Sequence, residues 1–114
     1  MSAHPNSVSS EQREGYVLVR LSGEVDLSWS QQVRRAVLDA LKANVPVGVE
    51  LADVSYIDSS GIAALVEGFQ GARARGGRFV LVAVSDAVRA VLELARLDRV
   101  FVIVATPDAV VAVA

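Results

Sequence analysis

Apolar and polar residues alternate along the chain in a way that predicts strands separated by helices. Residues 16–21 form the first apolar run, which is rich in β-branched side chains, and Gly23 follows it, so we expect a strand that ends there. Later segments rich in apolar residues, at 47–51, 78–82 and 100–104, predict further buried strands. Between the runs, apolar residues recur at spacings of three and four, the period of a helix packed on one face.

The first predicted helix begins at Ser28. Ser28 and Gln31 have the spacing of a capping box, in which each side chain satisfies a free backbone N–H. Asn44 and Pro46 predict the end of this helix, because asparagine tolerates a left-handed backbone and proline cannot continue the helix. Its apolar face consists of Val33, Ala36, Val37, Ala40 and Leu41.

Two further sets of apolar residues at helical spacing and an apolar C-terminal segment predict the remaining helices. Gly76 is a suitable stop for the second helix, and Ser85 is a suitable cap for the third. Residues 106–108, Thr-Pro-Asp, predict the start of a short fourth helix, and we expect the apolar segment 109–114 to dock on the core. The inner faces of the second and third helices consist of Ile62, Leu65, Val66, Phe69 and Ala72, and of Val88, Val91, Leu92 and Ala95.

The order of these elements predicts one α/β domain, which suits a chain of 114 residues. We expect a mixed, largely parallel sheet of four to five strands flanked by about four helices. Residues 1–12 are expected to form a flexible N-terminal arm or an edge strand, and residues 13–114 the domain itself. The edge strand would lie near residues 7–12 and turn at Glu14 and Gly15 into the first apolar strand.

Composition and charge argue against several function classes. The net charge is −2, with acidic and basic residues interspersed, so no basic surface is available for nucleic acid. No apolar run exceeds six residues, against the roughly twenty that span a bilayer, and no secretory signal is visible. We therefore expect no membrane insertion and a cytoplasmic location. The chain has no cysteine, and its one histidine, His4, lies in the predicted arm, which argues against metal sites and catalytic triads.

The stretch 56–62, Tyr-Ile-Asp-Ser-Ser-Gly-Ile, stands where a buried strand gives way to the second helix. The free N–H groups and the dipole at a helix N-terminus favour a phosphate or a carboxylate, so Ser59 could carry a phosphate without destabilising its own helix. The simpler interpretation is that Asp58 or Ser59 only caps the helix, and on this short motif alone it is the commoner one.

Two separated motifs together resemble a known family. Residues 23–26, Gly-Glu-Val-Asp, stand at one strand end, and residues 54–62 follow about thirty residues later. This combination resembles the STAS domain of bacterial anti-sigma factor antagonists, and the resemblance runs from about residue 16 to the C-terminus. It implies the STAS fold for this chain.

The resemblance also implies a phosphorylation switch. Ser59, directly after the motif aspartate, would be phosphorylated by an anti-sigma factor Ser/Thr kinase, with Ser60 as the fallback acceptor. Asp26 is expected beside Ser59, and Asp58, Ser60 and Gly61 are expected to support the site. The unphosphorylated protein would sequester the anti-sigma factor and release sigma factor, and a Ser/Thr phosphatase would reverse the modification. ATP and Mg²⁺ would belong to the kinase, so no cofactor is expected in this chain.

The expected partner surface surrounds Ser59, and its predicted members are Glu24, Leu27, Trp29 and Ile62. Tryptophans often dominate interfaces, but the preferred interpretation of Trp29 is that it covers the sheet edge at the start of the first helix. A phosphate adds about −1.5 to −2 charges, here next to Asp26 and Asp58, which would penalise docking of the partner.

Catalysis and transport are the alternative functions. A nucleophilic Ser59 would need a base, but the one histidine lies in the arm and no Gly-x-Ser-x-Gly motif is present, so the chain is not expected to be an enzyme. The same fold would also suit a STAS accessory subunit of an ABC transporter, such as one that moves phospholipids, or a regulator in a signalling cascade without sigma factor. The intact Asp-Ser-Ser-Gly motif favours the switch and does not exclude these.

Overall fold

The structure, a computed structural model, describes residues 5–112. His4, predicted to be solvated, lies outside these residues. In the part of the chain that is described, no helix is long and apolar enough to cross a membrane. In chain order the elements are β1 (Ser7–Arg13), β2 (Tyr16–Val25), α1 (Ser30–Leu41), β3 (Val47–Ile57), α2 (Ser59–Ala74), β4 (Phe79–Val82), α3 (Asp86–Leu94), β5 (Val102–Val104) and α4 (Ala109–Ala112).

The strands form one five-stranded sheet in the order β1-β2-β3-β4-β5. β1 runs antiparallel to β2, and the other neighbours pair in parallel, so the predicted α/β fold with a mixed, largely parallel sheet is confirmed. Of the two alternatives for the N-terminal segment, the edge strand is the one observed. It turns into β2 at Glu14 and Gly15, where Gly15 has a φ of +89°, a conformation that glycine adopts readily.

The two faces of the sheet are covered unequally. α1, α2 and α3 pack on one face and enclose the main core. On the other face Val110 of α4 packs against a small cluster from β2 and β4, which consists of Tyr16, Leu18, Val80 and Val82. The predicted docking of the apolar C-terminal segment is therefore confirmed for Val110, whereas Val111 and Ala112 are exposed, and residues 113–114 lie outside the described residues.

β2 and β3 extend further than the sequence predicted. β2 continues past Gly23 to Val25, and β3 runs to Ile57 instead of ending at Leu51. The strands stay paired because two shifts in their register each add one residue on β3, and bulges of this kind let strands of unequal length remain in one ladder. As a result, Asp26 and Asp58 each follow directly after the end of a strand.

Several element ends also differ from prediction. The capping box of Ser28 and Gln31 does not form, and α1 begins at Ser30, because the N–H and hydroxyl of Ser28 both donate to Asp26. β5 begins at Val102, and α4 begins only at Ala109, after the predicted Thr-Pro-Asp start. Ala95 lies just beyond α3 and is exposed, so it is not part of the inner face of that helix.

Glycines bring α1 and α2 close together. A Cβ at Gly68 would overlap a methyl group of Val37 on α1, so only glycine permits this contact. On the outside of the same helix pair, the guanidinium of Arg34 donates to both carboxylate oxygens of Glu67, at 2.7 and 2.8 Å. The two helices are therefore joined both by close packing and by an ion pair.

Candidate functional site

The ends of β2 and β3 lie side by side and bring both sequence motifs to one edge of the sheet. Val25 pairs with Ile57 as the last residues of the two strands. The N–H of Asp58 then donates to the carbonyl oxygen of Val25 at 3.2 Å. Because parallel strands place their carboxyl ends at the same edge, where α/β proteins bind their ligands, this edge is the candidate functional site.

Asp58 is the N-cap of α2. It has an extended backbone, and its Oδ1 accepts hydrogen bonds from the backbone N–H groups of Ser60 and Gly61 at 3.0 and 3.2 Å. The Ser60 hydroxyl donates to the same oxygen at 2.6 Å. This hydroxyl, followed by the backbone N–H groups of Gly61, Ser60 and Leu27, holds the pKa of Asp58 below its ordinary value, against the opposing effect of desolvation. The capping interpretation is therefore observed for Asp58, which stays ionised at neutral pH.

The two adjacent serines have different environments. Ser59 is the first residue of α2 and is exposed, and no described residue forms a hydrogen bond with its hydroxyl. Ser60 is half-buried, and its hydroxyl is held by Asp58. Of the two predicted acceptors, only Ser59 therefore presents an unoccupied hydroxyl to solvent.

Asp26 organises the turn between β2 and α1. Its carboxylate accepts from the N–H and the hydroxyl of Ser28, at 3.0 and 2.6 Å, and its carbonyl accepts from the N–H groups of Trp29 and Ser30. The turn reaches Asp58 through the N–H of Leu27, which contributes to the lowered pKa of that carboxylate. The structure thus brings Asp26 to the predicted edge, where its carboxylate bonds to Ser28 and not to Ser59.

Gly61 lets the start of α2 approach β2 closely. A Cβ at this position would lie 2.8 Å from the carbonyl oxygen of Val25 and 2.7 Å from a side-chain carbon of Ile57. A real Cβ would displace the backbone of β2 or the start of the helix. Gly61 therefore sets the distance between Ser59 and the turn that contains Asp26.

The predicted surface residues differ in exposure. Glu24 is exposed, and Leu27 is 74% exposed at the tip of the turn. Trp29 is half-buried against the core, which agrees with the packing interpretation, and its indole N–H is buried without a hydrogen-bond partner among residues 5–112. Ile62 is only 8% exposed and belongs to the core, which corrects its assignment to the surface: the inward stripe of α2 includes it.

Tyr56 is a member of this surface that the sequence did not reveal. It pairs with Glu24 across the two strands and is 50% exposed. The extra residue in β3 just before it breaks the alternation that would have shown which way its side chain points. Glu24, Leu27, Tyr56 and Ser59 are all exposed and lie at or just beyond the ends of β2 and β3, and we call this set the Ser59 surface.

The described residues contain no group of three or more His, Cys, Asp or Glu side chains that could hold a metal ion. Asp58 is the titratable side chain nearest to Ser59 in the chain, and its contacts orient the helix start. The chemistry offered at this edge is an exposed hydroxyl beside a fixed negative charge.

Comparisons with a family model, a curated relative and solved structures agree on one family. A family model of the STAS domain matches residues 7–110. The chain is 26% identical over 91 residues to the anti-sigma-B factor antagonist of Listeria monocytogenes, covering 79% of this chain and 80% of that protein. The solved structure of the anti-sigma factor antagonist SpoIIAA in its unphosphorylated form superposes with a TM-score of 0.78 at 25% identity, covering 92% of this chain and 93% of that one. A sulfate transporter family protein from Wolinella succinogenes has a TM-score of 0.69 at 20% identity, covering 83% of this chain and 80% of that one, which is a likeness of fold.

Proposed function

The chain belongs to the STAS domain family, and from that premise we propose that it is an anti-sigma factor antagonist controlled by phosphorylation of Ser59. The observation that carries this proposal is the exposed, unbonded hydroxyl of Ser59 at the first position of α2, directly after the ionised Asp58. The similarity to named antagonists of this class supports it. Unphosphorylated, the protein binds an anti-sigma factor and so releases sigma factor.

The different environments of the two serines support Ser59 as the acceptor. A kinase must bring the nucleophilic hydroxyl in line with the γ-phosphate of ATP, and the Ser59 hydroxyl is free to turn. Phosphorylation of Ser60 would first break its 2.6 Å bond to Asp58 and would disturb the cap of α2. Ser60 is therefore the positioning partner of Asp58 in this proposal, and Ser59 is the modified residue.

A phosphate on Ser59 opposes binding without unfolding the helix. The helix N-terminus tolerates the added charge, because its dipole is positive there. The same phosphate brings about −1.5 to −2 charges next to the Asp58 carboxylate and near the Asp26 turn. A partner that docks on this edge must then desolvate adjacent negative charges, so its affinity falls.

The proposal assigns the remaining chemistry to partners. The kinase that phosphorylates Ser59 is the anti-sigma factor itself, which binds ATP and Mg²⁺, and a Ser/Thr phosphatase removes the phosphate. This chain contributes a binding surface and a phosphate acceptor, acts without a cofactor of its own, and works in the cytoplasm. Leu27 and Tyr56 supply apolar contact area on either side of Ser59.

The test uses the purified full-length protein and each anti-sigma factor kinase encoded in the same genome, purified in turn. Wild type, Ser59→Ala, Ser59→Asp and Ser60→Ala are incubated with kinase, ATP and Mg²⁺, and the phosphorylated residue is located by peptide-resolved mass spectrometry. Kinase affinity of each form is measured by calorimetry. Protein isolated from its own cells is analysed by the same mass spectrometry before and after phosphatase treatment.

We expect a phosphate on Ser59 in wild type and in Ser60→Ala, and none in Ser59→Ala. We expect Ser59→Ala to bind the kinase as wild type does, and Ser59→Asp to bind at least about tenfold more weakly, a difference of about 1.4 kcal/mol. Phosphate on Ser60 instead would refute the assignment of the acceptor. No phosphate under any condition, with each kinase bound equally by all four forms or by none, would refute the switch.

A further inference from the structure

The chain just before β1 is attached to the end of β2 by a side chain. The regular pairing of β1 with β2 stops at Ser7 and Ser22. If it continued, Pro5 would lie opposite Glu24, and the backbone N–H of Glu24 would donate to its carbonyl. Instead this N–H donates to the Oδ1 of Asn6 at 2.7 Å. The Asn6 side chain thus replaces a backbone acceptor at the point where the ladder ends.

Neighbouring contacts fix the segment around Asn6. The hydroxyl of Ser22 donates to the carbonyl oxygen of Pro5 at 2.7 Å, and the hydroxyls of Ser7 and Ser22 are 2.6 Å apart. Gly23 has a φ of +86°, and a Cβ there would lie 2.8 Å from the Cα of Asn6. The glycine of the Gly-Glu-Val-Asp motif therefore serves two needs, because it adopts a left-handed backbone and lets Asn6 cross it.

Asn6 bonds to β2 beside one of the two interruptions in its ladder with β3. Gly23 pairs with Val54 and Glu24 pairs with Tyr56, so Ser55 is an extra residue that interrupts the ladder between them. On that side the last paired residues of β2 are Glu24 and Val25. On the other side Glu24 has the Asn6 side chain.

The end of β2 is in direct contact with the start of α2. The carbonyl of Val25 accepts from the N–H of Asp58, and Gly61 packs against the same carbonyl. A displacement of Glu24 therefore moves Val25 and changes the position of Asp58, the cap that precedes Ser59. Glu24 is itself a member of the Ser59 surface.

We propose that Asn6 is a positioning residue of the Ser59 surface: its side chain holds the end of β2 in the geometry that an anti-sigma factor kinase recognises. For the identity of the partner, this inference rests on the proposed function. For the effect on Glu24 and Asp58, it rests on the contacts of the chain itself.

The test compares Asn6→Ala with two controls. Asn6→Asp keeps an acceptor oxygen at the same place. Ser7→Ala removes a neighbouring hydrogen bond of the same strand and leaves Asn6 in place. For each variant, amide hydrogen exchange is followed by NMR at Glu24 and Asp58, the midpoint of thermal unfolding is recorded, and the dissociation constant for the purified kinase is measured.

We expect Asn6→Ala to speed exchange at Glu24 by about tenfold, because one hydrogen bond is lost, and at Asp58 by a smaller factor. The dissociation constant for the kinase is expected to rise about fivefold, the factor that corresponds to one neutral hydrogen bond. Asn6→Asp is expected to keep both values near those of wild type. Ser7→Ala is expected to lower the unfolding midpoint as Asn6→Ala does, with exchange at Asp58 and the dissociation constant unchanged.

Two results would overturn the inference. One is an Asn6→Ala variant with wild-type exchange at Asp58 or wild-type affinity for the kinase. The other is a Ser7→Ala variant that reproduces every effect of Asn6→Ala, because Asn6 would then act only through general stability. If wild type binds none of the kinases, the proposed function fails, and exchange at Asp58 still decides whether Asn6 positions this end of the sheet.

Discussion

α2 and α3 begin in the same structural setting but carry different residues in their first turn. Each follows a parallel strand, and each is capped by a side chain that accepts from the N–H three residues later: Asp58 from Gly61 at 3.2 Å, and Ser85 from Val88 at 3.3 Å. The first helical residue is Ser59 in α2 and Asp86 in α3. The carboxylate of Asp86 therefore occupies the position in α3 that the hydroxyl of Ser59 occupies in α2.

The third helical residue differs as well. In α3 it is Val88, which is fully buried, and in α2 it is Gly61, which packs against the backbone of β2. The start of α3 is therefore held by a side chain in the core and by the Ser85 hydroxyl, which donates to the carbonyl oxygen of Val54 on β3 at 2.7 Å, whereas the start of α2 is held by close approach of its backbone to β2. The same type of cap therefore precedes a buried side chain in α3, whereas in α2 it places an exposed hydroxyl close to the end of a second strand.

The largest expected effect comes from removing the close approach at Gly61. Gly61→Ala should lower the free energy of unfolding by about 1–3 kcal/mol, because its Cβ would overlap backbone atoms that cannot move independently. Urea denaturation measures this change.

Gly71→Ala is the matched control in the same helix. Its Cβ would meet only the end of the Leu41 side chain, which can turn away, and alanine favours a helix over glycine by up to about 1 kcal/mol. An equal loss of unfolding free energy in Gly61→Ala and Gly71→Ala would show that the stability of α2 does not depend on its close approach to β2. The contrast between Gly61 in α2 and Val88 in α3 would then be wrong.

The next effect concerns the caps themselves. Asp58→Ala and Ser85→Ala should each lower the free energy of unfolding by about 0.5–2 kcal/mol. The larger loss is expected for Asp58, because its charged carboxylate accepts from two backbone N–H groups and the Ser60 hydroxyl, whereas the Ser85 hydroxyl accepts from Val88 and donates to the carbonyl oxygen of Val54. Asp58→Ser gives α2 the type of cap that α3 has and should recover most of the loss. A larger loss for Ser85→Ala than for Asp58→Ala would reverse the expected order of the two caps.

A smaller effect is a pH dependence of the cap of α2. The Ser60 hydroxyl and backbone N–H groups lower the pKa of Asp58 in the folded state from its ordinary value of 3.8. The stability that this carboxylate contributes is therefore fully present above that value and is lost as the pH falls through the lower, folded-state pKa. Ser85 does not titrate in this range.

The measurement is the stability of wild type minus that of Asp58→Asn between neutral pH and pH 2. Glu11 and Glu67, whose pKa values are lowered by ion-paired hydrogen bonds with Arg13 and Arg34, titrate in the same region, but they are present in both proteins and cancel in the difference. We expect the difference to shrink as the solution is acidified. A difference that stays constant would mean that the charge of Asp58 does not stabilise the helix start.

The smallest effect separates the two serines. Ser60→Ala removes the hydroxyl that lowers the pKa of Asp58 most, so that pKa should move up toward its ordinary value, and acid should weaken α2 at a higher pH. Ser59→Ala should leave the pKa of Asp58 unchanged. Carboxyl-detected NMR titration measures both, and equal shifts in the two variants would remove the distinction between the serines.

Most of the fold was predictable because the spacing of apolar residues and the positions of capping residues indicate the same helices and strands along most of the chain. The faces of α1 and α2, the caps of α2 and α3, the left-handed Asn44 and Gly76, and the edge strand were confirmed. Local signals failed where a distant partner decides the outcome. Ser28 bonds to Asp26 and not to its own helix, and β3 continues to Ile57 because β2 accepts two extra residues opposite it.

The site was predictable to the level of its motif. The position of Asp58 and Ser59 just after a strand end follows from the order of the elements, and in the structure the N–H of Asp58 bonds to the carbonyl of Val25, the residue before Asp26. Which serine is free depends on a side-chain hydrogen bond, and the exposure of Tyr56 depends on a bulge, so neither follows from spacing. The roles of Ser59 and of its surrounding surface remain predictions for the experiments above.

The strand order has a consequence for how the chain assembles during synthesis. Each strand pairs with the strand that precedes it in sequence, with partners such as Val17 and Val47 or Val80 and Val102, so the sheet can grow in the order in which the ribosome releases it. The contact of Val110 with Tyr16 and Leu18 is different, because it joins the fourth helix to the second strand of the chain. It can form only once α4 has been synthesised, and by then all five strands are available for pairing.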